Sequence, residues 1–229
     1  YPHTFLRPTS AGELGDILRS AADAGQRVRP VGAGHSFTPV AAGDDVMISL
    51  DHLSGIIAVD EESGRVRFHA GTRLRDIPAL LAPFGLALAN QGDVNPQALA
   101  GAISTSTHGT GLGFTGFAGT VTGLSLMAAD GTVTDLSPTT HPEIFDLARV
   151  SLGVLGIVTE IELQCVPAFD LIAEEIVSDV DELLADLEPR MRAADHFEFY
   201  WFPHTDTALT KPNTRVGLGE IGPGHLAEA

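Results

Sequence analysis

Arg29-Pro30-Val31-Gly32-Ala33-Gly34-His35-Ser36-Phe37 is the stretch on which the reading of this chain turns. A strand-like run from Gln26 to Val31 empties into Gly-Ala-Gly, and a histidine and a serine follow at once. Two glycines in three residues let the backbone take positive φ, so that successive N–H groups can converge on one point. A concave nest of amides of this kind binds phosphate. Nests that hold a nucleotide usually run on into a helix, with the pyrophosphate at its N-terminus. Here Thr38-Pro39 and Ala41-Ala42-Gly43-Asp44-Asp45 follow, a loop rather than an apolar helical stripe. This stretch is neither GxGxxG nor GxxxxGK[ST]. Taken alone, the stretch reads equally well as a structural turn with a surface histidine.

Two further segments weigh against that bland reading. Asn90-Gln91-Gly92-Asp93 leads into Asn95-Pro96-Gln97-Ala98-Leu99-Ala100-Gly101-Ala102-Ile103, then Ser104-Thr105-Ser106-Thr107-His108-Gly109-Thr110-Gly111. Asn95 suits an N-cap and Pro96 the first helical position, which predicts a short helix to about Ser104. The tail after it has too little apolar area for a core element and many short donors for a polar ligand. In Ser151-Leu152-Gly153-Val154-Leu155-Gly156-Ile157-Val158-Thr159-Glu160-Ile161-Glu162-Leu163, glycines precede a β-branched strand and allow backbone to approach a flat ligand closely.

On these three segments the chain resembles the vanillyl-alcohol oxidase type of FAD-binding domain, and within it the sugar-lactone and alditol oxidoreductases. The resemblance runs from Phe5-Leu6-Arg7-Pro8 to Lys211-Pro212-Asn213, and His196-Phe197-Glu198-Phe199-Tyr200-Trp201-Phe202-Pro203 is its most specific late element. It implies an α+β fold: a two-lobed FAD-binding domain over residues 1–168, with lobes of about 1–52 and 53–168. An α+β substrate (cap) domain then starts at 169 and is incomplete at 229. Members generally continue well beyond this length, so the groups that bind the sugar, and the catalytic residues, are expected outside this sequence.

The resemblance also assigns residues. Pro30, Val31, Gly32, Ala33, Gly34, His35 and Ser36 hold the pyrophosphate, and His35 is the covalent anchor of the flavin; the alternative for His35 is a hydrogen bond to phosphate. Asp93, Gly101, Thr105, Ser106, Thr107 and His108 contact the flavin or its phosphates, and Ile157 and Val158 read the adenine end through main-chain groups. His108 either touches the cofactor or orders the loop behind it. Asp93 stands where members often carry serine, and a carboxylate beside a reduced, anionic flavin needs a donor or a raised pKa. Gly92 is placed near the reactive edge of the flavin, where a missing side chain leaves room for dioxygen and favours an oxidase over a dehydrogenase. The implied reaction is oxidation of a CH–OH group of a sugar-1,4-lactone or alditol, with hydride passing to flavin N5 and reoxidation by O₂ or another acceptor. Two rivals stand beside it. One is a flavin-carrying module that is inactive without its substrate half. The other is a relative acting on cytokinins or phenolic alcohols, against which the HFEFYWFP stretch argues.

Composition bounds the rest. Thirteen basic against thirty acidic residues give a net charge of −17, which disfavours nucleic acid and anionic membrane surfaces as partners. A single cysteine, Cys165, excludes an intrachain disulfide and any CxxC motif, and fits a reducing cytoplasm. No apolar run reaches the ~20 residues of a membrane span; peripheral membrane association stays open. His3, His52, His69, His141 and His225 are scattered, and His196 and His204 are eight apart without a third ligand, so no metal is expected. No GxSxG elbow supports a serine nucleophile.

Along the chain, Ser10-Ala11-Gly12-Glu13 predicts a capping box for a helix to Ala24, ended by Gly25. Strands are predicted at Gly55–Asp60 and Arg65–Ala70, a helix from Arg73 to about Pro83 capped by Thr72, and a two-residue Asp130-Gly131 hairpin between Val121–Ala129 and Thr132–Leu136. Pro142–Val150 reads as a helix and Ile157–Val166 as a strand. Leu171–Ser178, Val180–Arg192 and Glu198–Phe202 then read as a βαβ unit opening a new sheet. The aromatic cluster Phe197–Phe202 alternates with period two and reads as sheet core, with Glu198 and Tyr200 as candidates for the face towards a ligand.

Overall fold

The computed structural model describes residues 3–220 of the chain. His225 and the Gly222-Pro223-Gly224-His225 stretch read as a loop lie outside the described residues. The described chain divides into two compact units: residues up to His108 with Thr115–Val166, and Gly109–Phe114 with residues from Pro167 on.

The first unit opens with β1 (Thr4–Leu6), α1 (Ala11–Asp23), β2 (Val28–Val31) and β3 (Val46–Ser49). Its parallel three-stranded sheet has the order β1-β3-β2, so β2 is an edge strand and tolerates Pro30, which has no N–H to donate. Ser10 caps α1 by accepting from the Glu13 N–H at 3.1 Å. Glu13 reaches back to the N–H of Thr9 rather than that of Ser10, and this hydrogen bond holds its carboxyl below the ordinary range. The helix buries Leu14, Leu18 and Ala21 along one stripe and ends at Gly25, φ 66°, whose N–H donates to Ala22 while Gln26 donates to Ala21. That pair of bonds is the glycine-closed C-terminus expected of the sequence.

The unit continues with β4 (Ile56–Asp60), β5 (Arg65–His69), α2 (Ile77–Leu81), β6 (Leu86–Leu88), α3 (Leu99–Ser104), α4 (Phe117–Thr120), β7 (Val121–Met127), β8 (Val133–Leu136), α5 (Pro142–Ala148) and β9 (Ile157–Pro167). Its six-stranded sheet runs β4-β5-β9-β7-β8, with β6 also paired to β9. Phe68, Leu74, Ile77, Leu81, Leu99, Ile103, Leu124, Ile161 and Leu163 are fully buried in one core with Leu14 of α1 and Ile48 of β3. Cys165 lies buried in β9, and burial pushes its thiol up to about 11.

Three expectations need correction here. The helix read from Pro96 begins only at Leu99, because residues 95–98 pair with distant backbone instead: Arg75 donates to the Asn95 carbonyl and Leu74 to that of Gln97, and Ala98 bridges Arg73. Long-range pairing of those carbonyls leaves Asn95 no cap to make. The segment from Arg73 is α2 flanked by 3₁₀ turns at Leu74–Asp76 and Ala82–Phe84; Thr72 does not cap it but donates to the His69 carbonyl at 2.6 Å. The Asp130-Gly131 turn is a three-residue loop, Ala128 donating to Thr132 across it, with Gly131 at φ 82°. The strand twist is thus matched by a glycine bulge instead of a two-residue turn.

The second unit holds β10 (Phe169–Ala173), β11 (Ile176–Asp179), α6 (Val180–Ala185), α7 (Leu187–Ala193), β12 (His196–Trp201) and β13 (Thr207–Gly217). The single strand predicted at Leu171–Ser178 is two, and the single helix breaks at Asp186. β13, which no local pattern announced, is the centre of the sheet: β10 and β11 pair antiparallel with its two ends and β12 with its middle. β11 and β12 are therefore parallel but separated by β13, a βαβ unit with a strand inserted.

Candidate functional site: a glycine-lined cavity in the first unit

β2 delivers its chain into a cavity of about 340 Å³. Ligands of parallel sheets sit beyond the carboxyl ends of the strands, and Pro30 to Ser36 occupy that end. Gly34 has φ 72°, and nothing stands within 4 Å of where its Cβ would be. Gly32 backs onto α3: an added Cβ would lie 3.4 Å from the Ala98 Cβ and 4.0 Å from the Gly101 Cα. Gly101 itself faces open space. His35 and Ser36 are exposed on the wall, and Phe37 beyond them is bare of packing.

Opposite stands the turn that precedes β9. Leu152 (φ 53°) and Gly153 (φ 72°) both take positive φ, and Val154 donates to the Ser151 carbonyl at 3.0 Å, the pattern of a type I′ turn. Leucine at positive φ is an outlier that surrounding structure must hold. Gly153 lies against Pro30, with 3.2 Å left between its Cβ position and the proline Cγ. Ile157 and Val158 are buried at the start of β9 and line the cavity.

Of the expected set, Pro30, Val31, Gly32, Ala33, Gly34, His35, Ser36, Gly101, Thr105, Ile157 and Val158 meet on this one wall. Gly92, Asp93, Ser106, Thr107 and His108 are not on it. Thr107 is engaged elsewhere: its hydroxyl accepts from Gln97 Nε2 at 2.9 Å, its carbonyl from Phe117, and its N–H donates to Ala102. Ser106, φ 57°, closes α3 in the left-handed conformation that glycine usually supplies. A Cβ on Gly92 would come 2.9 Å from the His108 carbonyl oxygen, so the room beside Gly92 is taken up by backbone.

Arg29, Asp51, Gly71, Gln97, Leu152 and Gly156 join the wall without having been in the expected set. The glycines of the 151–156 segment were legible; Asp51 and Gln97 carried no local signal. Gln97 Oε1 is buried without a hydrogen-bond partner, the kind of acceptor a bound polar group satisfies. The open glycine nest, the orphaned amide oxygen and the mostly apolar walls fit a flavin dinucleotide: amides for the diphosphate, flat apolar surface for the rings. Among the described residues, no three His, Cys, Asp or Glu side chains gather as metal ligands would. No helix among them is long and apolar enough to cross a membrane.

In the second unit, Glu198 and Tyr200 share one sheet face with Lys211, while Phe199 and Trp201 lie on the opposite face, where Arg190 of α7 donates to Ser178 at 3.5 Å. Lys211 Nζ is 3.3 Å from Glu198 Oε1, which also accepts from the Tyr200 hydroxyl at 3.3 Å.

Comparison with known proteins follows this division. Residues 161–224 match the D-arabinono-1,4-lactone oxidase family model. L-gulono-1,4-lactone dehydrogenase of Mycobacterium tuberculosis is 42% identical over 210 residues, 92% of this chain and 48% of the relative. L-gulonolactone oxidase of Mus musculus is 37% identical over 205 residues, 90% of this chain and 47% of the relative. The chain thus spans about half the length of the curated relatives it matches. Cholesterol oxidase of Brevibacterium sterolicum superposes with a TM-score of 0.84 at 20% identity, covering 93% of this chain and 45% of that one. So low an identity shows the two-lobed α+β fold alone. The glycine loop, α3 and the hairpins around them all lie within residues 2–137, which match the FAD binding domain model, and the chain belongs to that family.

Proposed function

We propose that the chain is the flavin-carrying part of an oxidoreductase that oxidises a CH–OH group of a sugar-1,4-lactone or a related alditol. One observation carries the substrate class: the lactone-oxidase match over residues 161–224 falls on the sheet whose helix-free face presents Glu198, Tyr200 and Lys211. A carboxylate, a phenol and an ammonium on one face are suited to the hydroxyls of a polyol, with the tyrosine ring against its C–H surface. When bound, the flavin supplies the redox chemistry, taking a hydride at N5 from the carbinol carbon and passing the electrons to O₂ or another acceptor.

The protein's own part is grip and orientation. Amides from Gly32 to Ser36 hold the diphosphate, Gly101 leaves room for close approach, and Ile157 and Val158 offer main-chain groups to the adenine end. His35, exposed on the cavity wall, is the residue we propose for the covalent link. Asp93, before α3, and Ser106, Thr107 and His108, after it, are proposed to contact the flavin or its phosphates, His108 alternatively by ordering the loop.

The test of activity is anaerobic bleaching of the flavin by a panel of lactones, alditols, a cytokinin and a phenolic alcohol. Bleaching by lactones is expected; bleaching by the cytokinin or phenol instead overturns the substrate class. The same preparation tests the link. Acid-precipitated protein should stay yellow, with the mass of FAD on the His35 peptide, and full release of colour into the supernatant refutes covalent attachment. His35→Ala should fold and bind FAD reversibly, since the nest is built of backbone.

A further inference from the structure

The cavity must hold an anionic diphosphate inside a chain of net charge −17, and the charges on its wall are few. Among the described residues, Arg29 is the only arginine or lysine on that wall and Asp51 the only carboxylate. Asp51 is already neutralised: Arg73, from outside the wall, pairs with it while its other nitrogen donates to the Pro96 carbonyl at 3.1 Å. Arg27, two residues before Arg29, pairs with Asp44 and Asp45. Arg29 has no acidic partner among the described residues and is half-buried.

Its stem is also fixed. Arg29 stands opposite Met47 in the β2–β3 register, and Gly43 packs on the stem so closely that a Cβ there would come 2.9 Å from the Arg29 Cγ. Arg29 is among the residues that line the cavity, and no salt bridge to a described residue draws its guanidinium elsewhere. We propose that Arg29 supplies the countercharge for the phosphate groups of the dinucleotide, adding a forked, charged contact to the neutral amides of the nest. This rests on the cavity being the FAD site. It gives a physical role to a cation within β2, the strand that leads into the glycine loop.

The experiment uses the His35→Ala protein, from which FAD can be stripped, titrated with FAD, ADP and riboflavin at several salt concentrations. Arg29→Gln in that background should weaken FAD and ADP by roughly ten- to a hundred-fold, the range for loss of a hydrogen bond to a charged group. Riboflavin, which has no diphosphate, should bind unchanged. Salt dependence of FAD binding should become shallower, because an ion pair has been removed, and Arg29→Lys should restore part of both effects. Equal losses for FAD and riboflavin, or an unchanged salt dependence, would show a packing role and overturn the proposal. If Arg29→Gln loses its near-UV circular dichroism, Arg29→Lys and the salt series on the parent decide in its place. A parent that binds neither FAD nor ADP would instead refute the cofactor site itself.

Discussion

The Phe114 ring stacks on the imidazole of His196, with centroids 4.7 Å apart and planes 9° from parallel. His196 Nδ1 is 3.0 Å from the Thr110 carbonyl oxygen, so the histidine meets the Gly109–Phe114 strap at two points. The Arg215 guanidinium lies 4.2 Å from the Phe114 ring and 4.1 Å from Phe169. Burial lowers its pKa, and Asp195 opposes the shift. The Gly109–Phe114 strap is thereby fastened to the sheet of its own unit.

Phe114→Ala should therefore loosen the strap. Losing the stacked pair and its cation contact is expected to destabilise the protein by about 1–3 kcal/mol, read as a lower urea midpoint. Thermolysin should then cut within residues 109–114. An unchanged midpoint and cleavage pattern would mean that the stack is incidental. Arg215→Met, which keeps most of the packing, should cost less.

Gly34 and Gly101 should respond in opposite ways. At φ 72° Gly34 resists any side chain, and Gly34→Val should lose bound flavin and about 1–2 kcal/mol or more of stability. Gly101 lies in α3 with open space before it, so Gly101→Ala should gain up to about 1 kcal/mol from helix propensity while losing flavin affinity. Flavin content from absorbance ratios and melting temperatures of the stripped proteins check both.

Gly92→Ala separates two reasons for that glycine. A methyl 2.9 Å from the His108 carbonyl must displace the backbone of the loop after α3. The expected result is a lower melting temperature and weaker flavin retention, with the oxygen reaction of whatever flavin stays bound unchanged in stopped flow. Slower reoxidation at normal stability would instead restore the oxygen-access role read from the sequence.

Cys165 makes stability depend on alkaline pH. Its folded pKa of about 11 lies above the ordinary 9.0, so the unfolded chain loses this proton first. The contribution is whole below pH 9 and disappears as pH rises towards 11, by up to about 1.4 kcal/mol per pH unit. Cys165→Ala should flatten that part of the pH–stability curve. A thiol reagent should react with the native protein only slowly, because the thiolate is the nucleophile and the side chain is buried.

The sequence by itself determined what rests on local backbone chemistry. The nest at Gly32-Ala33-Gly34, the capped and glycine-terminated α1, the β4–β5 hairpin and the alternation that separates Tyr200 from Trp201 are set by positive φ, capping and side-chain period, each readable within a few residues. Only the tertiary structure decided the pairings between distant segments. Residues 95–98 gave up their helix because their carbonyls meet residues 73–75, and β13 became the centre of a sheet although Lys211-Pro212-Asn213 has no strand-like pattern of its own. The wall of the cavity was decided in the same way. Asp51, Gln97 and Leu152 line one wall because three stretches converge, while Thr107 lies off it with its backbone tied to Ala102 and Phe117. Local preferences act over one turn or one hairpin, whereas burial and hydrogen-bond satisfaction are settled over the whole chain at once.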